Sequence, residues 1–287
     1  MKKCISFILI MLVISFCGCA ISVENVLQST TRATTETVTT APTTSPTVEP
    51  TTAPTTSPTL EPTTAPTIPP TTEPTSPLHS PLYIEGVTVE KMIEYFNEVV
   101  LDMEYSTGDG NPTLVQKWDR PLCYRIEGNP TDADRQALDK LFAKLNGIEG
   151  FPGIRAATGL EQNLTLNFLN LADFRRQFSS VINGETADGA VQFWYYTNTN
   201  NIHTARIGYR TDISQQIRDS VIPEEIINSL GISDTVLRKD SIVYQYASST
   251  TELSDVDMVI LKLLYHPKME CGMTAADSEK IIRELYY

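Results

Sequence analysis

Apolar positions between residues 87 and 287 fall into two periods, one of about 3.6 residues and one of 2. Val87, Met92, Ile93, Phe96, Val99 and Val100 recur at helical spacing and predict an amphipathic helix over 87–101. Leu122-Cys123-Tyr124-Arg125-Ile126 alternates as a strand does, and Glu127-Gly128-Asn129-Pro130 ends it. Thr131-Asp132-Ala133-Asp134 reads as a helix cap; Ala137, Leu138, Leu141, Phe142 and Leu145 follow, and the helix stops near Gly147. Residues 163–169 alternate cleanly and predict a second strand, and 171–178 a short helix. Residues 190–196 and 202–209 predict two more strands, joined by the turn-forming run 197–201. A helix over 213–230, interrupted at Pro223, precedes two last helices over 254–265 and 274–286. This order predicts an α/β (α+β) domain with one mixed sheet and long helices.

Upstream of residue 82 both periods vanish. Residues 30–77 hold 21 Thr and 11 of the 18 Pro, with no Gly, Phe, Tyr or Trp. Such a stretch cannot bury a core and reads as a disordered stalk. A 12-residue unit at 39–50 returns at 51–62 and, degraded, at 63–74. Proline at this density favours extended polyproline II, which at ~3.1 Å per residue reaches on the order of 140 Å. Met1-Lys2-Lys3 and the apolar residues 5–16 form a signal-peptide core too short to span a bilayer. Gly18 directly before Cys19 resembles a bacterial lipobox, in which Cys19 is acylated; ordinary secretory cleavage nearby is the other reading. The predicted organisation is a signal peptide over 1–19, a linker over 20–81 and a domain over 82–287. A lipid anchor at Cys19 would hold that domain at the extracellular face of the bacterial cytoplasmic membrane, making the membrane a partner.

Charge and residue inventory narrow the chemistry. The net charge is −13, and residues 82–287 carry 19 Lys+Arg against 30 Asp+Glu. A field of that sign repels phosphate backbones, so nucleic-acid binding is not expected. Only His203 and His266 lie in the domain, which rules out a three-His zinc site there, and no C-x-x-C pair occurs. No G-x-S-x-G or Walker loop is present. Cys123 and Cys271 are either a disulfide or two buried thiols; spacing does not decide. Asn163-Leu164-Thr165 matches a glycosylation sequon, but inside a predicted strand it reads as chance. In Phe193-Trp194-Tyr195-Tyr196, alternation puts Phe193 and Tyr195 on one face and Trp194 and Tyr196 on the other. One pair belongs to the core. The pair Trp194 and Tyr196 is a candidate groove for a peptide or cell-wall component, against the plainer reading of cross-strand packing.

Several further segments carry a resemblance. Lys117-Trp118-Asp119-Arg120-Pro121, the Glu-Glu helix ending at Leu230-Gly231, Asp240-Ser241-Ile242-Val243-Tyr244, the helix from Asp255 to Tyr265, and Gly272-Met273 together resemble the bacterial domain-of-unknown-function family 2927. The same region is similar, more distantly, to the core of the metzincin zinc proteases, which implies a zincin-like fold. There, two His at i and i+4 share a helix face and bind zinc, and a Glu beside the first polarises zinc-bound water. On that pattern Glu224 falls on the first ligand, Glu225 on the general base, Asn228 on the second ligand, Gly231 on the turn and Asp234 on the third ligand. Val243 falls on the methionine of the turn. Both imidazoles are absent, and zinc is not expected. Oxygen donors at Glu224, Asn228 and Asp234 suit a hard cation such as calcium, or no cofactor at all. Glu224 and Glu225 directly after Pro223 also suit a helix start electrostatically. The resemblance therefore implies a non-catalytic binding or scaffold module at the cell envelope; the alternative is a peptidase-like hydrolase with Glu225 as general base. In zinc proteases an edge strand near 190–196 holds extended substrate, which implies peptide capture by strand addition.

Overall fold

The computed structural model describes residues 80–101, 113–182, 187–245 and 250–287. The signal segment, Cys19, the Thr/Pro stalk and the turn at Asn111-Pro112 lie outside the described residues. Among the described residues no helix is long and apolar enough to cross a membrane.

The described residues form six strands and six α-helices: α1 (Val89–Phe96), β1 (Lys117–Trp118), β2 (Leu122–Gly128), α2 (Asp132–Asn146), β3 (Ile154–Ala156), β4 (Leu164–Leu169), α3 (Leu171–Ile182), β5 (Gly189–Tyr195), β6 (Asn201–Arg210), α4 (Gln215–Asn228), α5 (Asp255–Leu264) and α6 (Ala275–Tyr286). The predicted α/β class is correct. Strands β3, β2, β4 and β6 lie side by side and run parallel. Parallel neighbours require crossovers, and α2 and α3 supply two of them. β5 turns back through the hairpin and pairs antiparallel with β6, which makes the sheet mixed. β1 pairs with the first two residues of β6, ahead of the register that β4 occupies.

Two differences from the sequence reading have simple causes. Residues 87–101 were expected to form one helix, yet α1 gives way at Asn97–Leu101 to a wider π-type winding. That winding buries Val99, Val100 and Leu101 in succession, which a 3.6-residue period cannot do on one face. The short strands β1 and β3 carry two and three residues, too few for any period to register.

The sheet separates two apolar layers. On one face Phe174, Phe178, Val181 and Ile182 of α3 pack on Ala187 and Ala190. Gly208 of β6 makes that approach feasible, because a Cβ there would lie 2.5 Å from the Phe178 ring. The opposite face, with Leu166, Phe168, Val191, Phe193, Ile207 and Tyr209, belongs to the main core with α1, α4, α5 and α6. The two ends of the domain are joined across it. Ser80 Oγ donates to the Leu285 carbonyl at 3.2 Å, Tyr286 donates to the Leu82 carbonyl at 2.9 Å, and Val115 exchanges backbone bonds with Gly272 and Met273.

The Thr131 cap has a second task that the sequence did not announce. Thr131 and Asp134 form the expected reciprocal capping box of α2. Asp134 is also 1% exposed and accepts from Arg218 Nε at 3.0 Å and Gln215 Nε2 at 2.7 Å, tying α2 to α4. Arg218 spends its remaining donors on the carbonyls of Thr211 and Ile213 and on Gln215. Burial pushes the Asp134 carboxyl up, but the bonds from Gln215, Thr131 and Arg218 outweigh it and hold the group below the usual aspartate value. Its stabilising contribution is therefore complete above the ordinary aspartate range and is lost as pH falls through the lowered value. Asp134→Ala strands a buried guanidinium and is expected to cost about 3–5 kcal/mol by urea denaturation at neutral pH. A loss under about 1 kcal/mol would show that the hub does not hold the helices together.

Candidate functional site

The residues that fall on the protease motif all lie on α4 or just beyond it. α4 is enclosed almost completely, with Arg218 and every residue from Ser220 to Asn228 buried. A helix apolar on one face only would sit at the surface, whereas one sheltered all round must find partners for its polar residues inside. Pro223 does not end α4, contrary to the suggestion that it could restart the helix there; it lies inside the span and removes one backbone donor. Glu224 and Glu225 are accordingly mid-helix residues, and the electrostatic helix-start reading does not apply to them.

The C-terminal end of α4 shows what the segments that carry the resemblance do. The last carbonyls of a helix lack intrahelical partners. Trp118 Nε1 donates to the Ser229 carbonyl at 2.8 Å, and the Tyr265 hydroxyl donates to the Leu230 carbonyl at 3.1 Å. Gly231 then turns the chain with φ of +95°, and a Cβ there would lie 2.1 Å from the Gln116 carbonyl oxygen. Glycine is needed at that position for both the angle and the approach. The Asp240-Ser241-Ile242-Val243 turn is held by Asp257, which accepts from Ser241 Oγ at 2.6 Å and the Ile242 amide at 3.0 Å while capping α5 with Ser254. Tyr95 donates to Ser241 at 2.9 Å, which locks α1 to the same turn. Val243, on the position of the protease methionine, is 1% exposed and packs in the main core.

The four acidic or amide positions do come together. Glu224 and Glu225 are 4% and 2% exposed, Asn228 is fully buried and Asp234 is half-buried. Asn228 Nδ2 donates to Asp234 Oδ1 at 3.0 Å, so two positions that would ligate a metal bond to each other. Burial pushes the Glu224 carboxyl well above the usual glutamate value, and the negative charges of Asp234, Glu225 and Asp188 push it the same way. Asp188 in turn pairs with Arg210 at 3.1 Å. Gly189 of β5 sits directly on α4: a Cβ there would lie 2.5 Å from Val221 Cγ1 and 2.6 Å from Glu225 Oε1. Neither the donor types nor this geometry fits a zinc ion, and among the described residues no three His, Cys, Asp or Glu gather as metal ligands. Gly189 is a residue that sequence reasoning missed. A glycine opening a strand was its only mark.

The aromatic run alternates as expected. Phe193 is fully buried and Tyr195 packs against the core, while Trp194 is half-buried and Tyr196 is 38% exposed. Tyr196 stacks on His203 with ring centroids 4.3 Å apart, and the Arg120 guanidinium lies 5.6 Å from the Tyr196 ring. Trp194 faces Arg206 at 5.9 Å, whose guanidinium also covers Phe178 at 5.0 Å. Gly189 to Phe193 are buried, so only the Trp194–Tyr196 end of this strand meets solvent. Cys123 and Cys271 are both free thiols. Asn163, the sequon residue, accepts from the Cys123 amide at 2.7 Å and donates to the Pro121 carbonyl at 2.9 Å; its side chain stitches β4 to β2.

A family described as Protein of unknown function (DUF2927) matches residues 89–284. The chain belongs to the DUF2927 family. None of the curated proteins compared with it matches. The match spans Trp118, Gly231, Asp257 and Tyr265, the residues that cap, turn and brace the end of α4.

The raised Glu224 carboxyl has a signed consequence. Such a group supports folding fully below the unfolded-state glutamate value, and that support is lost as pH rises through the folded value. Stability is expected to fall as pH rises out of the ordinary glutamate range through neutrality, and Glu224→Gln to remove much of that slope. The variant should be more stable than the parent at the alkaline end of that range and no more stable at its acid end. Urea midpoints across this range decide it; a Glu224→Gln variant with an unchanged slope refutes the assignment.

Proposed function

We propose that this DUF2927 domain is a non-catalytic binding or scaffold module, tethered by its leading segment to the outer face of a bacterial cytoplasmic membrane. One observation carries the non-catalytic part. Glu225, the residue on the general-base position, is 2% exposed and lies under Gly189, where a substrate carbonyl would have to approach. A general base must come within hydrogen-bond reach of the proton it removes, and a buried carboxyl beneath a strand does not. The Asn228–Asp234 bond points the same way, since it occupies groups that would otherwise turn toward a metal. The position that held imidazole in a metzincin-like ancestor is, in this reading, given over to packing.

Binding is assigned to the exposed end of the β5–β6 hairpin. Tyr196, His203 and Arg120 form a stacked aromatic and cationic surface there, suited to a peptide or a cell-wall component. The tether rests on the sequence: a basic start, an apolar run at 5–16, Gly18-Cys19 and a proline-rich spacer. The second reading, a hydrolase with Glu225 as base, draws on the same cluster, where a raised Glu224 supplies a proton-holding neighbour.

The purified chain is expected to carry no stoichiometric zinc by mass spectrometry and to leave a mixed peptide library uncut. Glu225→Gln should retain capture of whatever envelope component the parent retains. Stoichiometric zinc or calcium with chelator-sensitive cleavage, or cleavage abolished by Glu225→Gln, would replace this reading with the hydrolase. Independently, Cys19→Ala should move the protein from the membrane fraction to the soluble one; its continued sedimentation with membranes would refute the lipid anchor.

A further inference from the structure

A second feature is lined by none of the residues assigned a functional role above. A cavity of about 410 Å³ opens between the start of the domain, the turn after α2, the end of α5 and α6. Its size is within the range of small-molecule sites. Its floor is apolar, made by Leu82, Ile148, Met258 and Leu285. Its charged lining is mixed, with Lys262 in the last turn of α5, His266 just past the Tyr265 cap, and Glu149 after α2.

The walls are fixed in relation to each other. Gly150 has φ of +83°, and a Cβ there would lie 2.1 Å from the Tyr265 carbonyl oxygen, so the 147–150 turn rests on the end of α5. Phe151 packs edge-on against Tyr265 with ring centroids 4.9 Å apart. Glu149 is thereby held opposite Lys262 and His266 without bonding to either.

The charges are available. Lys140, Lys144 and Lys268 each pair with a glutamate, whereas Lys262 forms no ion pair with any described residue. The Lys268 amide donates to His266 Nδ1 at 3.1 Å, which leaves Nε2 as the protonated, donating nitrogen of a neutral ring. Burial first, and Lys268 next, hold that imidazole below its usual value, in keeping with the neutral form. An ammonium and an N–H donor together suit a phosphate or carboxylate, and Glu149 suits a cation beside it.

We propose that this cavity binds a single-chain zwitterionic amphiphile of the lysophospholipid class: phosphate on Lys262 and His266, quaternary or primary ammonium toward Glu149, acyl chain along Ile148, Met258 and Leu285. Each charged lining residue then has a counterpart, which a fatty acid or a cationic detergent would not provide. The inference goes beyond the tethered-module reading and does not need it, since a chain released by Cys19→Ala would still bind.

The test uses the full chain and three probes with one tail, dodecylphosphocholine, dodecanoate and dodecyltrimethylammonium, each below its micelle concentration, by isothermal titration calorimetry. The phosphocholine is expected to bind at least about tenfold tighter than either singly charged probe. Lys262→Glu and Glu149→Lys should each weaken it by about tenfold or more, and the exchanged pair should recover part of the loss. Met258→Trp should block all three probes by filling the floor, with the circular dichroism spectrum unchanged. Equal affinities for the three heads, indifference to Lys262→Glu, or no binding at all would each overturn the proposal.

Discussion

The constraint on which the domain depends is the enclosure of α4. Ten of its fourteen residues are buried, and they include an arginine, two glutamates and an asparagine. A helix so placed has no water to satisfy its end groups or its charges. Asp134 answers Arg218 at one end; Trp118 and Tyr265 answer the last carbonyls at the other. The sheet is pressed against the middle, with Gly189 removing the side chain that would otherwise keep β5 and α4 apart. The remaining architecture can be understood as the set of elements needed to bring these four partners to one helix.

That view changes the meaning of the acidic cluster. In a protease, a helix of this kind carries ligands because the cleft above it is open. Here the Gly189 backbone lies against the helix, and the buried carboxyls are in a medium that disfavours their charge. Glu224 keeps its proton more readily than an exposed glutamate would, with Asp234, Glu225 and Asp188 all adding to the effect. The turn at Gly231, the brace at Asp257 and the caps at Trp118 and Tyr265 are needed for the helix itself, whatever the cluster does.

How much of this was legible in the sequence varied with the physics of each element. Long periodic segments, α2, β4, β6, α5 and α6, were readable because each buries one face continuously and carries its own cap or turn. The helix α4 was readable in extent, yet its period was uninformative, since a helix sheltered on all sides shows no polar stripe. β1 and β3 left no trace, being too short to alternate. The positions Glu224, Glu225, Asn228 and Asp234 came from the resemblance to the protease motif; Asn228 bonds Asp234, and the charges of Asp234 and Glu225 act on Glu224. Their burial was not identifiable, because it depends on Gly189, 35 residues away in sequence and silent apart from its missing side chain. Likewise the capping box at Thr131 was plain, whereas the use of Asp134 by Arg218 required two helices to be docked first.

The joining of the domain's two ends bears on how the chain becomes structured. Ser80 and Leu82 bond to Leu285 and Tyr286, and Val115 pairs with Gly272 and Met273. A polypeptide made from its N-terminus therefore holds most strands ready while the pieces that seal them have not yet been synthesised. Contacts spanning about two hundred residues close late, because the entropy of so large a loop must be met before they form. Until the final helix arrives, Ser80 and Leu82 have no partners to fasten the entry of the domain, so a nascent chain keeps that edge loose for nearly its whole length.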